Sequence, residues 1–282
     1  MLKGRIININ STKYLVSVND KVYDCTLRGK FRNDKITPLV GDFVNINEKD
    51  LQIMEIFPRL NMLKRPNIAN VDYALVVTST KKPDLDLYLL DKLLTTIKVS
   101  NIKAIICFTK LDLLNELEQK EIEKLTNYYR NIGYDVITNN DTEEFKKRVN
   151  GKVVVACGQT GAGKSTFINK IDKTLNLETK PISDSLNRGV HTTRYVSLYT
   201  IDNFYLADTP GFSLLDISFL TDEQIKDSFI EFNNYQCKYK DCSHINTEGC
   251  EIYNNQDILS SRYDNYVKLI KEKHESRSKL FK

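Results

Sequence analysis

A chain of 282 residues fits two or three modules better than one small domain, and 41% apolar with 28% charged residues is ordinary for a globular protein with a buried core. The formal net charge of +4 is mild. No stretch approaches the roughly twenty apolar residues of a membrane span, and the start lacks the apolar run of a secretion signal. We therefore expect a cytoplasmic protein, neither secreted nor in a membrane, whose cysteines stay reduced.

The first 64 residues alternate apolar and polar side chains in five short runs separated by turn residues: GRIININ, YLVSV, KVYDCTL, DFVNIN and LQIMEIF. A period of two is typical of strands with one buried face. Five such strands predict a small antiparallel β-barrel of the oligonucleotide-binding type over residues 1–64. A small β-domain with a purely structural role would show the same pattern.

Within this region the segment RGKFRNDK (28–35) sets four basic side chains against Asp34. Such a patch favours an anionic partner such as RNA, although a solvated loop would have the same composition. Tyr23 and Phe31 are candidates for stacking on bases, and either could equally belong to the core.

Strands and helices alternate in the next part of the chain. The continuous apolar runs at 73–80 and 102–109 predict strands buried on both faces of a parallel sheet. Residues 84–99 between them have helical spacing, and 115–133 predict a second amphipathic helix that ends at Gly133. YDVIT, KVVVACG and NFYLADTPG predict further strands. The alternation predicts an α/β nucleotide-binding domain over residues 65–215.

The segment FTKLD (108–112) follows one of these strands and has a chemical interpretation. Asp112 can accept hydrogen bonds from guanine N1–H and from the exocyclic amine, a donor pair that adenine lacks. Lys110 can lay its methylene stem over the base, and Thr109 can brace the loop. Asn is usual at the position of Thr109, so the shorter hydroxyl predicts a looser brace. The tetrapeptide alone is a weak signal.

The segment GQTGAGKS matches Gly-x4-Gly-Lys-Ser between an apolar strand and a helical stretch, which is the context that this phosphate-binding motif requires. Its glycines let backbone N–H groups surround the β-phosphate. Lys164 is expected to reach the β- and γ-phosphates, and Ser165 to offer its hydroxyl to Mg²⁺. The predicted nucleotide contacts of this loop are Gly158, Gln159, Thr160, Gly161, Ala162, Gly163, Lys164, Ser165 and Thr166.

Two downstream segments are predicted to sense the γ-phosphate. YLADTPGF ends a strand with Asp208, expected on Mg²⁺ through a water, and with Gly211, whose N–H can meet the γ-phosphate. An isolated Asp-x-x-Gly is common, but its place after a phosphate loop makes it convincing. In NRGVHTTRY, Thr193 is the first candidate to serve Mg²⁺ and phosphate, and Thr192 is the second.

The base motif precedes the phosphate loop, which reverses the usual order in GTPases. A nucleotide site is assembled from loops at the carboxyl ends of parallel strands, so their positions in space matter and their order in sequence does not. A chain whose former ends are joined and which is cut at another loop would build the same pocket. The order therefore predicts a circularly permuted GTPase.

The last part of the chain, residues 216–282, predicts a helical zinc-binding module. Thr221 and Gln224 form a capping-box pattern before a helix over 220–235, and 257–280 predict a basic amphipathic helix. The tail from Arg262 to Lys282 is a second basic patch. Between the helices lies a full tetrahedral set for a structural Zn²⁺ with no position left for water: Cys237, Cys242, His244 and Cys250. Cys25, Cys107 and Cys157 are interpreted as small core residues.

The barrel, the permuted GTPase domain and the Cys/His module together resemble the RsgA family, also called YjeQ or YloQ, over essentially the whole chain. GVHTTR resembles that family's switch motif, DTPGF its γ-phosphate motif and TKLD its base motif. The resemblance implies a second base-supporting loop near Thr138 and Asn139. Phe212 stands where many GTPases have a water-positioning Gln, and the resemblance implies that His191 takes this role. His191 could otherwise be an exposed loop residue.

The resemblance also implies a function. It is that of a monomeric GTPase that binds the small ribosomal subunit and its rRNA, acts in late maturation, is stimulated by the subunit, and leaves after hydrolysis. An RNA-binding assembly scaffold that uses nucleotide only as a structural ligand is the main alternative. An ATP-dependent small-molecule kinase is disfavoured by the base motif.

Overall fold

The computed structural model describes residues 1–29, 31, 37–64, 67–172, 196–208 and 216–280. By its contacts the chain divides into two compact units. The first consists of residues 1–75, 141–157 and 164–212, and the second of residues 76–140, 158–163 and 213–282. The predicted domain limits at residues 64 and 215 stay a prediction.

The first unit contains the predicted barrel. Its strands are β1 (Leu2–Asn10), β2 (Lys13–Val18), β3 (Lys21–Leu27), β4 (Phe43–Asn47) and β5 (Gln52–Ile56). They are ordered β1-β2-β3-β5-β4, and β4 pairs back to β1, so the barrel is closed. The pairs are antiparallel except β3–β5, which is parallel. Alternate side chains such as Ile6, Val16 and Val44 point into a fully buried core.

The rest of the first unit extends this sheet. After a short hairpin of β6 (Met62–Lys64) and β7 (Asn67–Ala69) come the start of β8 (Tyr73–Ser79), then β11 (Val153–Gly158), β12 (Ser197–Ile201) and β13 (Phe204–Asp208). β11 pairs with β13 in parallel, whereas β12 is antiparallel to both β13 and β1. Two helices are described in this unit, α3 (Thr142–Arg148) and α4 (Lys164–Ile171). β6, β7, β12 and α3 were not predicted from the sequence.

In the second unit the sheet order is β10-β9-β8, with β9 (Lys103–Thr109) parallel to β10 (Asp135–Thr138). Its helices are α1 (Leu87–Val99), α2 (Glu116–Asn131), α5 (Asp222–Ser228) and α6 (Ser260–Leu280), with 3-10 helices at Leu111–Leu113 and Ile230–Asn234. The helix predicted over 220–235 is therefore interrupted. Phe229 has non-helical backbone angles and places its ring in the hydrophobic core of this unit.

Helix ends follow the predicted local chemistry. Asn115 and Glu118 form a reciprocal capping box at the start of α2, and Gly133, just beyond its end, adopts a φ of 103°. Thr221 and Gln224 cap α5 in the same reciprocal way. Among the described helices, none is both long and apolar enough to cross a membrane.

A buried ion-pair network reduces the basic patch that was predicted in the C-terminal tail. Arg262 is 1% exposed and lies between Asp91 of α1 and Glu231 of the second 3-10 helix. Lys273 is also buried and pairs with Asp222. Two of the cations counted in the tail are thus neutralised inside the second unit, because α6 turns them towards the core.

Candidate functional site

The predicted base-reading segment, residues 108–112, directly contacts the predicted phosphate loop. The Thr109 hydroxyl donates to the Ala162 carbonyl at 2.6 Å, and Lys110 Nζ donates to the Gly161 carbonyl at 2.8 Å. Both contacts lie within the second unit. Two motifs about fifty residues apart in reversed order therefore meet in space. The Thr109 hydroxyl thus reaches the loop directly, and whether it braces the loop less firmly than Asn stays a prediction.

The side chains of the base-reading segment are set by its backbone. Lys110 adopts a left-handed conformation, and its ammonium also donates to the Lys82 carbonyl. Asp112 follows in the first 3-10 helix and is exposed. Its carboxylate has no hydrogen-bond partner within the described ranges of the chain. It is thus available to accept two hydrogen bonds from a base edge.

The phosphate loop needs a glycine at its first position. Gly158 has a φ of 130°, and a Cβ there would lie 2.0 Å from the Val77 carbonyl oxygen, which no side chain can accommodate. The loop then turns tightly, with the Ala162 N–H donating to the Gln159 carbonyl at 3.1 Å. Thr160 and Gly161 are exposed at its tip.

Lys164 and Ser165 open α4, as the motif predicts. Burial lowers the pKa of Lys164, while the neighbouring Cys157 opposes this effect. A partly desolvated ammonium gains most from an anionic ligand. Ser165 is 8% exposed, and Thr166 is exposed in the first turn. Cys157 itself is fully buried, as are Cys25 and Cys107, which confirms their interpretation as core residues.

The predicted second base-supporting loop lies beside the end of β9. β10 ends at Thr138, and the Asn139 N–H donates to the Phe108 carbonyl at 3.1 Å. The Asn140 N–H donates to the Thr138 hydroxyl at 3.3 Å. The segment is therefore near the base-reading segment, and its contact with a base stays a prediction.

The predicted switch residues lie outside the described residues: His191, Thr192, Thr193, Gly211 and Phe212. The strand that leads to the second switch is observed, since β13 ends at Asp208. The side chain of Asp208 is likewise outside the described set.

The four predicted zinc ligands converge. One donor atom from each of Cys237, Cys242, His244 and Cys250 lies within 4.8 Å of all the others. The Sγ atoms of Cys237 and Cys250 are 3.9 Å apart, and each is 3.5 Å from His244 Nδ1. Tetrahedral bonds of about 2.3 Å to sulfur and about 2.0 Å to nitrogen require separations of about 3.5–3.8 Å. The cluster therefore fits a zinc ion, with His244 presenting Nδ1.

The surroundings of this cluster act unevenly on the protonation of its ligands. Burial raises the pKa of Cys237 to about 11, whereas hydrogen bonds lower the pKa of Cys242 against the effect of its burial. Backbone N–H groups of His244, Glu251 and Ile252 each point at a cysteine sulfur at 3.4 Å, which stabilises thiolates. Burial lowers the pKa of His244 and keeps its imidazole neutral. The hydroxyl of Tyr263 donates to the His244 carbonyl at 2.8 Å, fixing the loop to α6.

The candidates for base stacking in the barrel are not equivalent. Phe31 is 4% exposed and belongs to the barrel core, which was one of the two roles predicted for it. Tyr23 is half-buried against the same core, with its hydroxyl towards Glu48. Arg28 is exposed, whereas residues 30 and 32–36 of the basic segment lie outside the described residues.

Three residues that follow β8 lie at the site and were not predicted from the sequence. Thr80, Lys81 and Lys82 contact the base-reading segment or the start of α2. A usable signal existed, because β8 was predicted as a buried parallel strand and ligand loops cluster at the carboxyl ends of such strands.

Comparison with known proteins covers nearly the whole chain. The family described as RsgA GTPase matches residues 56–218, and the RsgA N-terminal domain matches residues 3–53. The small ribosomal subunit biogenesis GTPase RsgA of Clostridium novyi is 42% identical over 284 residues, covering 96% of this chain and 97% of the relative. The Staphylococcus aureus protein of the same name is 40% identical over 285 residues, with coverage of 96% and 97%.

Two solved structures share the fold. The crystal structure of YjeQ from Thermotoga maritima has a TM-score of 0.83 at 29% identity and covers 96% of this chain and 98% of its own. That of YloQ, described as a circularly permuted GTPase, has a TM-score of 0.82 at 33% identity, with coverage of 98% and 96%.

Proposed function

The chain belongs to the RsgA GTPase family, and on that basis we propose that it hydrolyses GTP to GDP and phosphate in the biogenesis of the small ribosomal subunit. The observation that carries the proposal is the direct contact of Thr109 and Lys110 with the phosphate loop. A nucleotide whose phosphates lie in this loop therefore has a base reader within reach. The relatives' name supplies the ribosomal partner.

Guanine is selected by Asp112 in this proposal. Its exposed carboxylate accepts from N1–H and from the exocyclic amine, while the stem of Lys110 covers one face of the base. Charge-assisted hydrogen bonds of this kind are about twice as strong as neutral ones. Because adenine lacks this donor pair, an adenine nucleotide would bind more weakly and its base would not be oriented. Thr138 and Asn139 support the base from the neighbouring loop.

Hydrolysis depends on the phosphate loop and on the switch segments. Lys164 stabilises the charge that develops on the phosphates, and backbone N–H groups of residues 158–166 orient them. Ser165, Thr193 and Asp208 would hold Mg²⁺, which neutralises phosphate charge when bound. Gly211 meets the γ-phosphate, and His191 positions the attacking water. The switch assignments are supported by the family motifs.

The C-terminal cluster is proposed to hold one structural zinc ion. Its four donors leave no free position, and their spacing supports a closed tetrahedral site. Basic residues of the barrel loop, including Arg28, and the exposed lysines of α6 are proposed to contact rRNA. We further propose a cytoplasmic monomer that leaves the subunit after hydrolysis.

GTP turnover by the full chain, with and without purified small ribosomal subunits, tests the proposal. We expect slow turnover alone and clear stimulation by subunits, but not by large subunits. A scaffold that uses nucleotide only structurally would bind subunits in the presence of GTP without stimulated turnover. If the chain were an ATP-dependent kinase, ATP would instead displace GTP in a competition assay.

A further inference from the structure

Three consecutive residues after β8, which we call the supporting turn (80–82), hold the base-reading segment. The first contact is at its start. Thr80 is buried, and both its N–H and its hydroxyl donate to the Thr109 carbonyl, at 3.2 and 2.9 Å. The same hydroxyl lies 3.2 Å from the Lys110 carbonyl. The two peptide groups that precede the 3-10 helix are therefore fixed by one buried side chain.

The supporting turn also holds the far end of the segment. Lys81 Nζ donates to both carboxylate oxygens of Glu118 at 2.7 and 2.8 Å. Glu118 in turn accepts from the Asn115 N–H at 2.9 Å and caps α2. These hydrogen bonds lower the pKa of Glu118, Lys81 having the largest effect. Between the two ends, Lys110 Nζ donates to the carbonyl of Lys82.

Asp112 lies between these anchors and has no side-chain support of its own in the described part of the chain. Its position is thus set by the backbone on either side. Recognition of a base edge requires placement within about 0.5 Å of the productive geometry. Small displacements of Asp112 would weaken its contacts to the base, whereas the phosphates are bound by the loop at residues 158–166.

We propose that Thr80 and Lys81 are positioning residues for guanine recognition, acting through the backbone of residues 109–118 on Asp112. The inference rests on the proposed function, since it takes Asp112 as the base reader. It goes further by assigning guanine selectivity to residues that need not touch the nucleotide.

The test compares binding of three ligands to the full chain by calorimetry: GDP, inosine diphosphate and tripolyphosphate. Inosine diphosphate lacks the exocyclic amine, and tripolyphosphate lacks the base. Because the lost hydrogen bond is to a charged group, we expect the wild type to prefer GDP over inosine diphosphate by at least about tenfold. In Thr80→Val this preference should fall by about threefold or more, while tripolyphosphate affinity stays unchanged.

Matched variants separate positioning from general damage. Thr80→Ser keeps the hydroxyl and should restore the preference. Thr95→Val removes a buried hydroxyl from α1, where it accepts a hydrogen bond from Ser228, and should leave the preference intact. Lys81→Met should lower the preference at a half-exposed position that folding tolerates, and Lys81→Arg should retain it.

The outcomes distinguish the inference from its premise. A wild type that binds GDP and inosine diphosphate equally would remove Asp112 as the base reader and with it the proposed guanine specificity. A wild type that discriminates, together with Thr80→Val and Lys81→Met variants that discriminate equally well, would overturn the positioning role alone. A loss of tripolyphosphate affinity as large as the loss of GDP affinity, in both variants, would also overturn the positioning role, because the damage would then extend to the phosphate loop.

Discussion

Replacing Arg262 with Met is expected to destabilise the second unit strongly. The guanidinium donates to Asp91 at 2.6 Å and to the two oxygens of Glu231 at 2.7 and 2.9 Å. The side chains of Asp91 and Glu231 are 0% and 3% exposed. Met fills much of the volume but leaves two carboxylates buried with no cation between them.

The size of the effect depends on the hydrogen bonds that Asp91 and Glu231 keep in the variant. Asp91 keeps hydrogen bonds from Tyr129 at 2.9 Å and from Asn265 at 2.7 Å, whereas Glu231 keeps only a long contact of 3.4 Å from Tyr128 among the bonds found. Breaking a buried ion pair from one side costs about 3–5 kcal/mol. At about 2–4 °C per kcal/mol for a unit of this size, the midpoint of thermal unfolding should fall by about 10 °C.

The pH dependence gives a second, independent readout. Burial raises the pKa of Asp91, and losing the Arg262 charge raises it further. A carboxyl whose pKa is raised by folding contributes stability that is present at low pH and lost as pH rises through the raised value. The difference in free energy of unfolding between wild type and variant should therefore be smaller at pH 5 than at pH 8.

Thermal and urea unfolding followed by circular dichroism measures both effects. Lys271→Met is the control, because Lys271 is an exposed cation on the same helix, and its loss should change stability by less than about 0.5 kcal/mol. If Arg262→Met lowers the free energy of unfolding by less than about 1 kcal/mol, or by an amount that does not vary with pH, then removing Arg262 does not leave uncompensated buried charge, and the reasoning is refuted.

The other predictions concern the sites. Metal analysis of the purified chain should find one zinc per chain, and Cys250→Ser should lose it and lower the unfolding midpoint; full retention of zinc would contradict the ligand set. Thr109→Val removes the hydrogen bond to Ala162, so GDP affinity measured by calorimetry should fall about threefold to tenfold, and unchanged affinity would show that the two loops do not depend on that bond. His191→Ala should keep GTP binding and lose subunit-stimulated turnover, and normal stimulated turnover would exclude the water-positioning role.

The strands and motif loops were predictable because their signals are local. Apolar runs identified β8, β9 and β11, and the glycine pattern after β11 located the phosphate loop. The meeting of the two loops followed from the rule that ligand loops gather at the carboxyl ends of parallel strands. The same rule could have placed Thr80 near the site, but its contact with Thr109 was not predictable, since that contact depends on which strands are neighbours.

The errors came from tertiary structure overriding local pattern. Arg262 was counted as surface charge, yet it shares the α6 face of Tyr266, Leu269 and Ile270, spaced four, seven and eight residues on, and that face is buried. The burial pattern of β12 is not strictly alternating, because Tyr199 and Thr200 are both exposed. This strand therefore depends on its pairing with β13 and not on a local sequence pattern. For Phe31, which lies in a charged segment, the sequence left stacking and core equally open, and its packing in the barrel core decides between them.

The central claim is that one pocket combines the phosphate loop with the base reader despite their reversed order. Its most direct test is nucleotide preference after Asp112→Asn, because an amide in that position donates to the carbonyl that xanthine carries in place of the guanine amine. The account predicts that turnover switches from GTP to XTP, and that adding Lys164→Ala to this variant abolishes XTP binding. An Asp112→Asn variant that still prefers GTP, or one that binds XTP equally well without Lys164, would contradict it.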